Sequence, residues 1–430
     1  MKIVINILIL VAVVISHANS QAVFTLDRCL TLARTQSPRM RSAENAIRTA
    51  ELSHAELSTT KLPQIKLGAS SIYAPSSGSF GYDPALSNGG QVAGQVMVQQ
   101  SLYDGGIRRL KSDQLSIDID RLAKEKRIAE RDLVFSVRQA FVETLRSEKE
   151  IVLQEESVRQ LRDYLDIVRR LSKVGSAAYT DVLKTELQLS SAQLSYQKAT
   201  EEFAVAKYSL AELIGMPLDK TFNIVGSLND TTNTEIDSSL LNANPDELSN
   251  LEMSAASLAV KHSLMDVELM QHENYPTVLF IGDAGLLTSG DNLRLPRDER
   301  VSMFGFSFGV ALEIPLVIWG ATDLRVQQKQ LDADNLRLQS ELLQRSITTE
   351  SRKTRLQIMK QRERLRSIQN NLKSAEDNFL LTKSKYAGGG TLSLEVLSAQ
   401  QLLTDTKLSE LQTLANIQLL AAKMEQLTTR

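Results

Sequence analysis

Two stretches far apart in the chain are worded almost alike. Residues 173–183 read KVGSAAYTDVL and residues 386–397 read YAGGGTLSLEVL. Gly175 to Gly389 spans 389 − 175 = 214 positions, Asp181 to Glu395 spans 395 − 181 = 214, and Gly106 to Gly320 spans 320 − 106 = 214. One offset over three landmarks reads as an internal duplication. Whatever the first half folds into, the second half should build again. The material is helical: of 430 residues only nine are Pro, one is Trp and 5% are aromatic, while Ala, Leu, Gln, Glu, Lys and Arg dominate. The 49 basic and 51 acidic residues are interspersed and leave a net charge of −2. That is no nucleic-acid footprint.

Lys2, the apolar run IVINILILVAVVI and the small residues around Ala18 and Ser20 describe a secretory signal peptide over 1–20. The run is shorter than the ~20 apolar residues of a spanning helix, which weighs against a membrane anchor. No later segment is apolar enough to span a bilayer as a helix. Cys29 is the only cysteine, so no intrachain disulfide can form. The Leu-Asp-Arg before it lacks the small residues of lipoprotein processing, and a half-buried small side chain is the expectation there.

The hydrophobic period then alternates between two values along the chain. A first repeat over 21–216 opens with a helix over 25–61, carried by Leu26, Leu30, Ala33, Ala43, Ile47, Ala50 and Leu57. A hairpin follows over 64–104, with Val92, Val96, Val98 and Leu102 on one face and Gln91, Gln95 and Gln99 on the other. A long helix over 106–173 carries Val137, Phe141, Leu145, Val152, Val158, Leu161, Leu165 and Val168 at helical spacing. A straight helix of that span measures about 100 Å. A turn and a helix over 180–213 close the repeat, and a polar connector occupies 217–245. The second repeat, 246–430, has a helix, a hairpin over 276–315, a long helix over 320–386, a turn at Gly388-Gly389-Gly390 and a helix over 394–427.

In the last strand Phe304, Phe306, Phe308 and Val310 alternate with Gly305, Ser307 and Gly309. Ordinary hairpins packed on helices would leave one face wet. An exported chain with an outward apolar ridge, an inward polar face and no helical anchor fits a membrane β-barrel better. The fold class expected is therefore an α+β membrane protein. Four strands cannot close a barrel, because the smallest membrane barrels have about eight. Two copies would make an interior nearly filled by side chains, and three would give 3 × 4 = 12 strands with a lumen. All four helix-to-strand junctions lie at one end of the hairpins, so the helices project from one membrane face, and the two glycine turns become their far tips.

Taken together, Leu62-Pro63, QSLYDGG at 100–106, VGSAAYTDVL, EIPLVIWG at 313–320 and KYAGGGTLSLEVLSAQQLL resemble the TolC-type outer-membrane efflux channel family. The resemblance covers essentially the whole mature chain and rests on the order of motifs. It implies a homotrimer in the outer membrane of a Gram-negative bacterium. A 12-stranded barrel would continue into a periplasmic α-helical barrel that docks on a periplasmic adaptor and an inner-membrane transporter. Carried over by position, Val174, Gly175, Ser176, Gly388, Gly389, Gly390 and Thr391 form the docking tips. Asp181, with Thr180 beside it, and Tyr386 match residues that hold the periplasmic entrance shut, and Glu395 matches a ring of acid. Thr391 stands where some members have an arginine, and Ser398 where some have a second acid.

Enzyme patterns are missing. His54, His262 and His272 lie on expected helices without metal-ligand spacing, and no G-x-S-x-G or Walker loop occurs. GGGTLS lacks the lysine of a phosphate loop and reads as a helix-ending turn. No cofactor is expected. The remaining alternative is a periplasmic coiled-coil structural or adaptor protein, which suits the helices but not the Phe-rich strand. Small toxic compounds and secreted protein are both cargo for such a conduit.

Overall fold

A computed structural model describes residues 22–74, 89–217, 222–228, 250–290, 301–316 and 319–428. The expected signal peptide and most of the 217–245 connector lie outside the described residues. In chain order the elements are β1 (Ala22–Phe24), α1 (Leu26–Gln36), α2 (Pro38–Thr59), β2 (Gln64–Ala74), β3 (Gly89–Asp104), α3 (Ile107–Lys173) and α4 (Tyr179–Leu213). There follow β4 (Phe222–Ile224), α5 (Leu251–His272), β5 (Thr277–Gly290), β6 (Val301–Glu313), α6 (Ala321–Ala387) and α7 (Ser393–Thr428).

The expected single helix over 25–61 is two. Ser37 precedes a proline, is forced out of the helical region and sits extended at ψ 125°. Pro38 then starts α2, where its missing N–H costs nothing. Before α1, Ala22–Phe24 pairs in parallel with Phe222–Ile224, so the start of the connector region carries a strand. Phe24 and Phe222 meet edge-to-face at 5.4 Å between ring centroids.

The chain divides into two compact units, and the division falls inside α2, α3, α5 and α6. One unit comprises Met1–Ala43, Lys126–Glu252 and Leu343–Arg430. Its core forms two clusters. The first joins Phe24, Cys29, Ala33, Val137, Phe141, Leu145, Leu210, Phe222 and Leu414. The second joins Leu161, Tyr164, Leu165, Val168, Val182, Phe379, Tyr386, Val396 and Leu403. The stripe expected on the long helix thus packs inward, with one exception: Val152 is 55% exposed. Cys29 is fully buried rather than half-buried, and burial pushes its thiol up to about 11, so it stays protonated at neutral pH.

The other unit comprises Glu44–Glu125 and Met253–Leu342. It holds a four-stranded antiparallel sheet in the order β2-β3-β5-β6, in which β3 pairs with β5 and so joins the two hairpins. Register puts Leu67, Val96, Ala284 and Phe306 in one cross-strand row, and Lys66, Met97, Asp283 and Ser307 in the next, on the opposite face. Directly paired residues share a face and adjacent residues alternate. The first face carries Ile65, Leu67, Val92, Val96, Leu286 and the Phe304–Val310 ridge, all exposed.

Candidate functional site

Both tip turns end their helices in the same way. At the end of α3, Gly175 adopts φ 75°, its N–H donates to the Ser172 carbonyl at 3.1 Å, and the Ser176 N–H donates to the Leu171 carbonyl at 2.9 Å. At the end of α6, Gly389 adopts φ 77°, with Gly389 N–H to the Tyr386 carbonyl at 3.0 Å and Gly390 N–H to the Lys385 carbonyl at 2.9 Å. This paired bonding satisfies two otherwise orphaned carbonyls and requires a left-handed residue, which glycine supplies without a Cβ penalty.

Between these turns lies a cleft of about 360 Å³. Of the residues singled out in the sequence it is lined by Ser176, Asp181, Tyr386, Gly388, Gly389 and Thr391, together with Leu171, Leu392 and Ser393. Val174, 74% exposed, and Thr180, also exposed, lie on the surface of the same tip. Glu395 is exposed as well and accepts a hydrogen bond from the Thr391 hydroxyl, one turn back. Thr391 therefore ties the acid down within its own helix turn. Asp181 and Glu395 both lie in the first turn of their helices, where a carboxylate complements the helix dipole.

The tyrosine is the unusual member. Tyr386 is 6% exposed, and its hydroxyl makes no well-formed hydrogen bond, although the Ser393 and Tyr164 hydroxyls lie close to it. Its ring meets Tyr164 at 5.4 Å between centroids and 62° between planes. The Tyr164 hydroxyl donates to Ser393 Oγ at 3.0 Å, and the Tyr386 hydroxyl stands beside this pair without a well-formed bond of its own. Burial raises the pKa of the Tyr386 hydroxyl, and the Asp181 carboxylate raises it further. Burial likewise pushes the Tyr164 hydroxyl well above the ordinary tyrosine value. Both phenols are neutral donors at any physiological pH.

Tyr164 and Ser393 escaped the sequence reading. The available signal was a phenol inside the aliphatic stripe Leu161–Leu165–Val168, since a buried Tyr hydroxyl needs a partner. Phe304, Phe306, Phe308 and Val310 belong to the sheet of the other unit and are 64–76% exposed. Among the described residues no cluster of His, Cys, Asp or Glu could hold a metal ion. No described helix is long and apolar enough to cross a membrane.

The family described as outer membrane efflux protein matches residues 29–216 and 247–429, most of the chain. The chain belongs to that family. Within the outer membrane efflux protein family, it is similar to the proteases secretion protein PrtF of Dickeya chrysanthemi. The two are 21% identical over 320 residues, which is 71% of this chain and 68% of the relative. Among solved structures, a membrane protein from Pseudomonas aeruginosa superposes with TM-score 0.78 at 15% identity, over 94% of this chain and 92% of the other. The outer membrane protein VceC of Vibrio cholerae gives 0.74 at 15% identity, over 94% and 96%. Those likenesses establish the fold, α+β and mostly helical. Membership of a family of outer membrane efflux proteins, with the likeness to a secretion protein, makes this chain an outer-membrane channel for efflux or secretion.

Proposed function

We propose that three copies of this chain form the outer-membrane channel of a tripartite export machine. Each copy gives four strands to a 12-stranded barrel, and the α-helices continue it into a periplasmic tunnel. Small toxic compounds or secreted protein would pass from an inner-membrane transporter and its periplasmic adaptor to the outside. The observation that carries this reading is the sheet: among the described residues it has four strands with both edges, β2 and β6, unpaired, and one face apolar and exposed. Open edges and bare Phe side chains are a liability in water. Closure against further copies inside lipid removes both. The family supports the membrane, and the PrtF likeness favours protein as one class of cargo.

The tip cleft is the gate in this reading. A buried Tyr386 hydroxyl without a well-formed bond is an unfilled donor, and a charge-assisted bond to an Asp181 carboxylate of a neighbouring helix pair would satisfy it. Val174, Gly175, Ser176 and Gly388–Thr391 would then present the adaptor-docking surface, and Glu395 a ring of three acids. The test is mild extraction from membranes followed by cross-linking and mass measurement. Three chains per particle are expected, and a monodisperse monomer in a membrane-derived sample would overturn the reading. Finding the chain in the soluble periplasm would favour a coiled-coil scaffold or adaptor instead.

A further inference from the structure

One non-glycine residue among those described has a positive φ. Trp319 sits at 52°, immediately before Gly320 at 75°. The position 319 − 214 = 105 holds Gly105, at φ 67°, followed by Gly106 at 85°. The same left-handed strand-to-helix turn is thus made once with two glycines and once with a tryptophan. A bulky L-residue is disfavoured there because its Cβ crowds the following carbonyl. Such an outlier asks what the side chain is for.

Crowding explains why the first turn excludes it. A Cβ on Gly105 would lie 2.8 Å from Tyr275 Cβ and 3.2 Å from the His272 carbonyl oxygen. At the second turn Gly320, the neighbour of Trp319 and counterpart of Gly106, would meet nothing within 4 Å if given a Cβ. Space admits the indole, yet the indole packs on nothing: Trp319 is 93% exposed. The strain is not offset by burial within the chain.

A second observation says what lies opposite. Trp319 follows Leu316, 86% exposed, at the end of the ridge that begins at Phe304. The same end of the sheet, where β2 starts, β3 ends, β5 starts and β6 ends, collects Tyr103 and Tyr275, 49% and 46% exposed. Rings with an apolar body and a polar handle settle where hydrocarbon meets water. Resting on the channel reading, we propose that Trp319 is an interfacial anchor seated in the lipid headgroup layer at the helix-side boundary of the bilayer. The left-handed turn exists to aim its indole outward. A neighbouring copy would meet β6 through the edge backbone, whereas this ridge stands on the sheet face, so lipid is the occupant.

The chain contains one tryptophan, so its native fluorescence reports this site alone. The full chain is inserted into phosphatidylcholine vesicles whose acyl chains carry bromine at graded depths. Shallow bromines should quench the emission about twofold more than bromines near the bilayer centre, the pattern of an interfacial ring. Trp319→Gly, which restores the wording of the first turn, should lower the fraction of chain that floats with the vesicles while leaving its helical circular dichroism in detergent intact. A wild-type chain that does not float overturns the membrane reading and this inference with it. A chain that floats but is not quenched, or is quenched most by the deepest bromines, overturns the anchor alone. So does emission that shifts when the assembled particle is dissociated in detergent, because the indole would then lie between copies.

Discussion

The cluster of apolar side chains beneath the tips and the apolar ridge of the sheet are built from similar residues, and they end differently. Beneath the tips, Phe379 is 4% exposed and Val168 is fully buried, closed over by side chains of the same chain. On β6, Phe306 is 71% exposed and Phe308 is 76% exposed. Hydrophobic residues in the first region fold the chain. In the second they remain for another solvent or another copy to cover. A helix satisfies its backbone internally and needs only one stripe buried, whereas a sheet of four strands has two open edges and two faces. The contrast teaches which contacts the chain completes alone.

Substitutions should separate the two regions by size of effect. Phe379→Ala empties a buried site and should cost about 3–5 kcal/mol of stability in detergent, measured by chemical denaturation. Phe306→Ala in the same assay should leave stability nearly unchanged, and equal losses would erase the contrast. In membranes the ridge should matter instead. Phe306→Arg should reduce assembled protein by the equivalent of about 2–4 kcal/mol, and Ser307→Arg, on the opposite face, far less. Indistinguishable yields would mean the strand faces are reversed.

The turn chemistry gives a smaller effect. Gly389→Ala forces a Cβ into the left-handed region and should cost about 1–2 kcal/mol, whereas Gly388→Ala meets nothing closer than the Lys385 carbonyl at 3.6 Å and should be nearly neutral. Thermal melts of the two variants decide it. The pH dependence follows from the raised Tyr164 hydroxyl. A group whose pKa is higher folded than unfolded keeps its full contribution below the ordinary tyrosine value of about 10 and loses it as pH rises toward the folded value. Melting temperature should fall as pH rises above about 10 in the wild type and fall less in Tyr164→Phe. Parallel curves would remove Tyr164 from the account.

The smallest effect on stability sharpens the comparison most. Tyr386→Phe removes a hydroxyl that makes no well-formed hydrogen bond within its own chain, so unfolding of the isolated chain should change by less than about 0.5 kcal/mol. If Tyr386 holds the proposed gate between copies, single-channel conductance of the assembled protein should rise. A large loss of stability with unchanged conductance would make Tyr386 an ordinary core residue.

Much of the candidate site was legible because its signals are local. The left-handed glycines of the tips follow from a helix that must stop, and Asp181 and Glu395 stand three residues into the helices that follow. Tyr164 and Ser393 were not legible, since they are 229 positions apart and meet only because two helix pairs converge. Thr391 looked like a lost arginine, and its hydroxyl bond to Glu395 depends on a rotamer that spacing does not reveal. Pro38 was legible and passed over: the apolar spacing ran through it, and the φ restriction on Ser37 decided otherwise.

By itself the sequence determined where the hydrophobic period is helical and where it is two, which strand positions share a face, and where the chain must turn. Those properties depend on residues within a few positions of one another, through backbone sterics and the direction each Cβ points. Only the tertiary structure decided that β3 pairs with β5, that Ala22–Phe24 lies beside Phe222–Ile224, and that the Tyr386 hydroxyl is buried without a well-formed hydrogen bond. Each of these is a choice among distant surfaces of nearly equal apolarity. It is settled by shape, by register and by which hydrogen-bonding groups remain to be satisfied once the others have paired.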